Sequence, residues 1–162
     1  MKTKLFSLVA LILIFFTFSS CDKTTEGDDA DNALRVQFFN DASSEYTITT
    51  IEIRSRGLTQ EANQPIGEWG SNLLTGGLTL APGESTFFTL PIPNLHWSEY
   101  RIGVDDGGTT VMVEYNENVS VGSELPITHW GSDDRTVSVL VKYNATYDVI
   151  YISGWSDFAG ID

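Results

Sequence analysis

From Leu34 onward the chain alternates between apolar and polar positions. Leu34, Val36 and Phe38 are separated by Arg35 and Gln37. Tyr46, Ile48 and Thr50 share one phase, and Ile51 and Ile53 resume on the opposite one. A period of two marks half-buried strands. A one-residue slip marks a bulge, because an unbroken strand would turn its later apolar residues to solvent. The same alternation recurs in Phe88, Leu90 and Ile92, in Tyr100, Ile102 and Val104, and in Val111, Val113 and Tyr115. It closes with Val137, Val139, Val141 and Tyr143, then Val149 and Tyr151. Turn signals punctuate these runs: Ala81-Pro82-Gly83-Glu84, Asp105-Asp106-Gly107-Gly108, and Asn144 to Asp148. Asp and Gly between two alternating runs predict a hairpin.

The pattern predicts an all-β chain with seven or eight strands. Their spacing points to a single immunoglobulin-like Greek-key β-sandwich over residues 34–162, with a small barrel as the alternative. Thr136–Tyr143 and Tyr147–Ser153 are nearly continuous in apolar residues on both faces, which predicts a central position for the pair. Two polar stretches, Arg56–Gly70 and Asn116–Arg135, exceed hairpin length and read as long loops.

Ahead of the alternating region the pattern is different. Met1 to Lys4 carry two lysines and no acid, Leu5 to Phe18 are apolar apart from Ser7 and Thr17, and Ser19 and Ser20 are small. A basic start, an apolar stretch and small residues predict a secretory signal over residues 1–20. The apolar run is shorter than the roughly 20 residues a membrane-crossing helix needs. Cys21, the only cysteine, follows directly and has no disulfide partner in the chain. Small residues immediately before Cys resemble a bacterial lipoprotein signal, here written Phe-Ser-Ser-Cys rather than the commoner Leu-Ala-Gly-Cys. The resemblance implies that Cys21 is acylated and becomes the new N-terminus. Residues 21–33 then form a tether: Asp22 to Asn32 hold five acids, one lysine and no large apolar residue. Cysteine followed by an acid-rich tether also resembles the export signal of Bacteroidota-type surface lipoproteins. That resemblance implies a lipid anchor in the outer membrane, with the domain facing the exterior.

Charge narrows the partners. The formal net charge is −13. Removal of residues 1–20, which hold two lysines and no acid, takes it to −15 over 142 residues. Such a surface repels phosphate backbones and anionic lipid, so no nucleic acid is expected. Membrane attachment falls to the acyl chains on Cys21, at about 0.8 kcal/mol per buried CH₂.

Three motifs, Trp69–Leu74 (WGSNLL), Leu80–Ser85 (LAPGES) and Tyr100–Asp106 (YRIGVDD), together resemble a recurrent small bacterial β-domain. Its pattern is Trp-Gly-x-Asp/Asn-Leu-Leu, then Leu-x-Pro-Gly, then a Tyr-rich strand ending in Asp. The resemblance covers about Leu34 to Tyr115 and implies a fold but no site.

All four tryptophans, Trp69, Trp97, Trp130 and Trp155, are followed by Gly or Ser, with acids or amides nearby. Aromatic faces stack on sugar rings while carboxylates and amides bind hydroxyls. The candidate ligand site is therefore Trp69, Asn72, Trp130, Asp133 and Asp134, taking a glycan or cell-surface polymer. The competing reading is that the tryptophans plug the ends of the sandwich. An envelope-protein partner is the second functional class, contacted through a strand edge or a flat loop face. His96 and His129 each precede a Trp without metal-ligand spacing. Asp105-Asp106 and Asp133-Asp134 invite calcium, but they are equally explained as a turn and a solvated loop. No metal site and no cofactor are expected. The chain lacks Gly-x-Ser-x-Gly, His-Glu-x-x-His and phosphate-loop motifs, so it reads as a non-enzyme. Asn118-Val119-Ser120 and Asn144-Ala145-Thr146 match the glycosylation triplet, which a bacterial source leaves idle.

Overall fold

The computed structural model describes residues 32–61, 66–119, 122–131 and 134–157. The predicted signal, Cys21, the tether up to Asp31, Ser120 and Asp133 lie outside the described residues. Eight strands follow one another with no helix among the described residues. They are β1 (Leu34–Asn40), β2 (Ile48–Leu58), β3 (Ser85–Leu90), β4 (His96–Asp106), β5 (Thr109–Met112), β6 (Leu125–Thr128), β7 (Arg135–Asn144) and β8 (Val149–Ser156).

The strands form a β-sandwich of two sheets. The first has the order β3-β1-β7-β8. The second has the order β2-β4-β5, with β6 also paired to β4. β5 pairs with Gly103–Asp106 and β6 with Trp97–Tyr100, so the two short strands share the length of β4. Within the first sheet β1 runs antiparallel to β3 and parallel to β7. These pairings establish the two-sheet sandwich but not the immunoglobulin-like Greek key. Strand spacing reports how many strands there are; it does not report which sheet each one joins.

The inward phases of the strands supply the core, except for β5, which has no buried residue. Val36, Phe38, Val137, Val141 and Ile152 come from the first sheet, and Ile48, Ile51, Tyr100, Ile102, Val104 and Ile127 from the second. Phe38 ties the layers together. Its ring lies edge-on to Phe88 at 5.9 Å within its own sheet and to Tyr100 at 5.3 Å across the interface. Such edge contacts add about 0.5–1.5 kcal/mol beyond area burial. The predicted bulge in β2 is present as a register shift between Ile48 and Thr50, which lets both Ile48 and Ile51 face inward. The Asp105–Gly108 hairpin also forms. Gly107 and Gly108 have φ of 62° and 91°, and the Asp105 carboxylate accepts a bond from the Gly108 N–H.

Three expectations change. β7 is central, but β8 is an edge strand, so the last pair is only half interior. Of its apolar residues Ile152 is buried and Ile150 packs on the core, while Tyr151 lies opposite Lys142 on the outward phase. The first long loop begins later than expected, because β2 continues to Leu58. The second contains β6, whose Leu125 and Ile127 are buried and whose Pro126 faces the other way. Only two apolar positions show the alternation there, too few to stand out from a loop.

Tyr100 is wholly buried, and among the described residues its hydroxyl has no hydrogen-bond partner. Burial first, and then the Asp157 carboxylate, push its pKa well above the ordinary 10.0. The unfolded chain therefore gives up this proton first, and stability is lost as pH rises past about 10. Tyr100→Phe is expected to match or exceed the parent's stability at neutral pH, by up to about 1 kcal/mol. It should also flatten the alkaline decline, and urea unfolding at pH 7 and across the alkaline range measures both effects. A clear loss of stability at pH 7 would show that the hydroxyl has a partner.

Candidate functional site

The outward phase of the second sheet carries a charged lattice. Glu52 opposes Arg101, and Arg54 opposes Glu99, in the β2–β4 register. The pairs close at 2.7 Å for Arg101–Glu52 and 2.8 Å for Arg54–Glu99. Arg54 also reaches Glu124 at 2.7 Å, and Arg56 reaches Glu99 at 3.4 Å. Trp69 lies against this lattice, with the guanidinium carbons of Arg54 and Arg101 at 4.3 and 4.4 Å from its ring centre. Arg56 stacks on Trp97 at 4.8 Å. Both tryptophans are half-buried and engaged by arginine.

Trp69 is held there by a segment that lines the free edge of β2. Gly67, Gly70 and Leu73 donate N–H bonds to the carbonyls of Ser55, Ile53 and Ile51. Asn72 locks that segment. Its Oδ1 accepts from the N–H groups of Ile51 and Leu74, and its Nδ2 donates to the carbonyls of Thr49 and Leu74. Every hydrogen-bonding position of the amide faces backbone, so Asn72 is a bracket within the fold. The Trp-Gly-x-Asn-Leu-Leu motif thus reads as edge protection: Asn72 clasps β2, Leu74 enters the core, and Trp69 covers the ion pairs.

The other candidates lie elsewhere. Trp130 is 56% exposed, beside a turn in which the Gly131 N–H donates to Asn94. Asp134 is exposed and pairs with Arg35 of the first sheet at 3.3 Å. Trp69 on the second sheet and Asp134 on the first therefore face away from one another, and Asn72 points into backbone. Of the described candidates, Trp69, Asn72 and Asp134 do not share one face of the sandwich. Trp155 is also exposed, at the end of β8. The histidines are positioned by main chain. His129, buried, contacts the Ile92 carbonyl through Nδ1 at 2.6 Å, and His96 contacts that of Asn94 at 3.0 Å. Among the described residues no three His, Cys, Asp or Glu side chains meet in a metal-holding group.

A groove of about 910 Å³ lies at the edge where β5 of one sheet faces β8 of the other. Three tyrosines, Tyr46, Tyr115 and Tyr143, and three carboxylates, Asp106, Glu114 and Asp148, line it. The two hairpin turns, β4–β5 and β7–β8, supply Asp106 and Asp148 to its rim. Tyr143 donates its hydroxyl to Asp148 at 2.6 Å. Asp148 sits in left-handed backbone with φ 53°, a conformation uncommon outside glycine though easier for Asp than for most residues. The hydrogen bond to Asp148 raises the Tyr143 pKa, and burial followed by Asp106 and Glu45 raises that of Tyr46. Both phenols therefore stay protonated as donors well into alkaline solution. Tyr115, 67% exposed, also lines the groove. The sequence does carry a signal for this site, although composition around the tryptophans hides it. Tyr46 and Tyr115 each directly follow a glutamate, and Tyr143 lies at the end of β7 beside a turn.

No family model matches the chain, and no match is found among curated proteins or solved structures.

Asn72→Ala is expected to leave the N–H groups of Ile51 and Leu74 without their partner and to destabilise the fold by about 2–4 kcal/mol. Trp69 should become more mobile as its segment loosens, with a red-shifted emission maximum. A thermal melt monitored by Trp fluorescence measures both changes. An unchanged melt would show that the bracket is not a structural lock.

Proposed function

We propose that the chain is a lipid-anchored envelope protein whose sandwich binds a glycan or cell-surface polymer without transforming it. The anchor rests on Cys21 behind its signal-like segment and ahead of the acidic tether, with display at the exterior face of the outer membrane. The binding role rests on the groove between β5 and β8, where aromatic faces and carboxylates share one concavity. Its volume lies within the range typical of ligand sites, about 300–1,000 Å³. Tyrosine rings offer apolar faces to sugar rings, while Asp106, Glu114 and Asn116 offer acceptors and donors to hydroxyls. This reading moves the glycan site from the tryptophan-bearing segments to the tyrosine edge.

A second reading, an assembly subunit of an envelope complex, draws on the outer edges of β3 and β8. Among the described residues each has one strand neighbour in its sheet. A partner strand could extend the sheet at either edge.

Tyr115→Ala is expected to weaken glycan binding by the full chain about tenfold, in line with the loss of one stacking ring. Its exposure predicts an unchanged melting temperature. Titration against a polysaccharide panel, followed by intrinsic fluorescence, measures the first effect. In parallel, Cys21→Ser should move the protein from the membrane to the soluble fraction. Binding that survives Tyr115→Ala but is lost in Trp130→Ala would return the site to the tryptophan loop, and a membrane-bound Cys21→Ser protein would remove the anchor.

A further inference from the structure

We infer that the tyrosine groove selects a glycan carrying free, protonated amino groups, an inference that rests on the groove being a glycan site. Among the described residues, all charged groups lining the groove are acids: Asp106, Glu114 and Asp148 contribute three negative charges, with no lysine or arginine beside them in the lining. On the outer faces of the sheets four acids are neutralised. Arg54, Arg56 and Arg101 pair with Glu52, Glu99 and Glu124, and Arg35 with Asp134. The groove carboxylates have no such ion pair among the described residues. Three of the five arginines thus lie on the outer face of the second sheet, and none of the five lines the groove. A bound ligand that brings its own cation satisfies the groove acids.

The tyrosines refine that choice. An ammonium group over a phenol face gains cation–π attraction in addition to its carboxylate contacts. A sugar ring stacked on the same face gains apolar contact. An amino sugar offers both from one unit, with its charge held next to a flat ring. The three carboxylates come from separate elements: the end of β4, the segment after β5, and the β7–β8 turn. They form no metal-holding group. Charges spread along a groove suit spaced amines on an extended chain better than they suit one small ion. The negative field is also registered by the groove's own phenols, since Asp106 helps to hold the pKa of Tyr46 above its ordinary value.

The test titrates the full chain at mildly acidic pH with short β-linked glucosamine oligomers, in fully de-N-acetylated and fully N-acetylated forms, and with spermidine. The de-N-acetylated oligomer is expected to bind at least about tenfold more tightly than the acetylated one, with a preference that weakens as salt is added. The double substitution Asp106→Asn and Glu114→Gln should erase that preference. Tyr115→Ala should weaken binding of both oligomers. Equal affinity for the two oligomers would overturn the amine selectivity while leaving the glycan reading intact. Binding of neither oligomer, with no response to the wider polysaccharide panel, would overturn both. Spermidine binding as tightly as the amino-sugar oligomer, and unaffected by Tyr115→Ala, would show a general polycation site and overturn the inference. Circular dichroism of each variant confirms that the substitutions leave the sandwich folded.

Discussion

The parallel ladder between β1 and β7 holds the first sheet together. Without it that sheet would separate into a β1–β3 pair and a β7–β8 hairpin, each with one side of its apolar face uncovered. The ladder joins distant parts of the chain: Gln37 and Thr136, paired in register, are 99 residues apart. Closing so long a loop costs conformational entropy before any contact repays it. The core supplies the compensation. Val36 and Phe38 on β1, and Val137 and Val139 on β7, are all buried beside one another against the second sheet. The ladder therefore forms together with the sheet-on-sheet interface, and the edge groove exists only once both have formed.

Much of this was readable from the chain. Period-two alternation located β1, β2, β4 and β7 because each buries one clean face, and the phase slip at Ile51 correctly reported the bulge. β6 was not readable, because four residues with a proline at the second position carry little periodic information. The edge position of β8 was not readable either. An apolar residue covering a groove wall looks, in sequence, the same as one facing a second layer. The candidate site was the least legible part. Tryptophan near acids suggested sugar binding, but Trp69 is occupied by Arg54 and Arg101, residues 15 and 32 positions away in the chain. Only the fold reveals that pairing, and only the fold brings Tyr46, Tyr115 and Tyr143 to one edge.

The two outer faces of chemistry divide the work of charge. On the second sheet acids and arginines alternate across strands, partly shielded by Trp69 and Trp97, so their attraction is less screened than that of an exposed pair. That face is closed and self-satisfied. The groove is its opposite, open and of a single sign. The contrast arises from strand position. Cross-strand neighbours inside a sheet can satisfy one another, whereas side chains at facing edges of two sheets have a gap between them.

The position of β1 also governs how the molecule bears load. Tension arriving through the residues before Leu34 is directed along the axis of a strand bonded on both sides, to β3 and to β7. Hydrogen bonds between strands lie across that axis, so both ladders are sheared and must give way together. β8, at the groove, has a single strand neighbour among the described residues. A sideways pull at the groove peels its bonds one after another. The sandwich therefore resists a pull through β1 most strongly and a pull at the groove least, so the groove wall yields before β1 does.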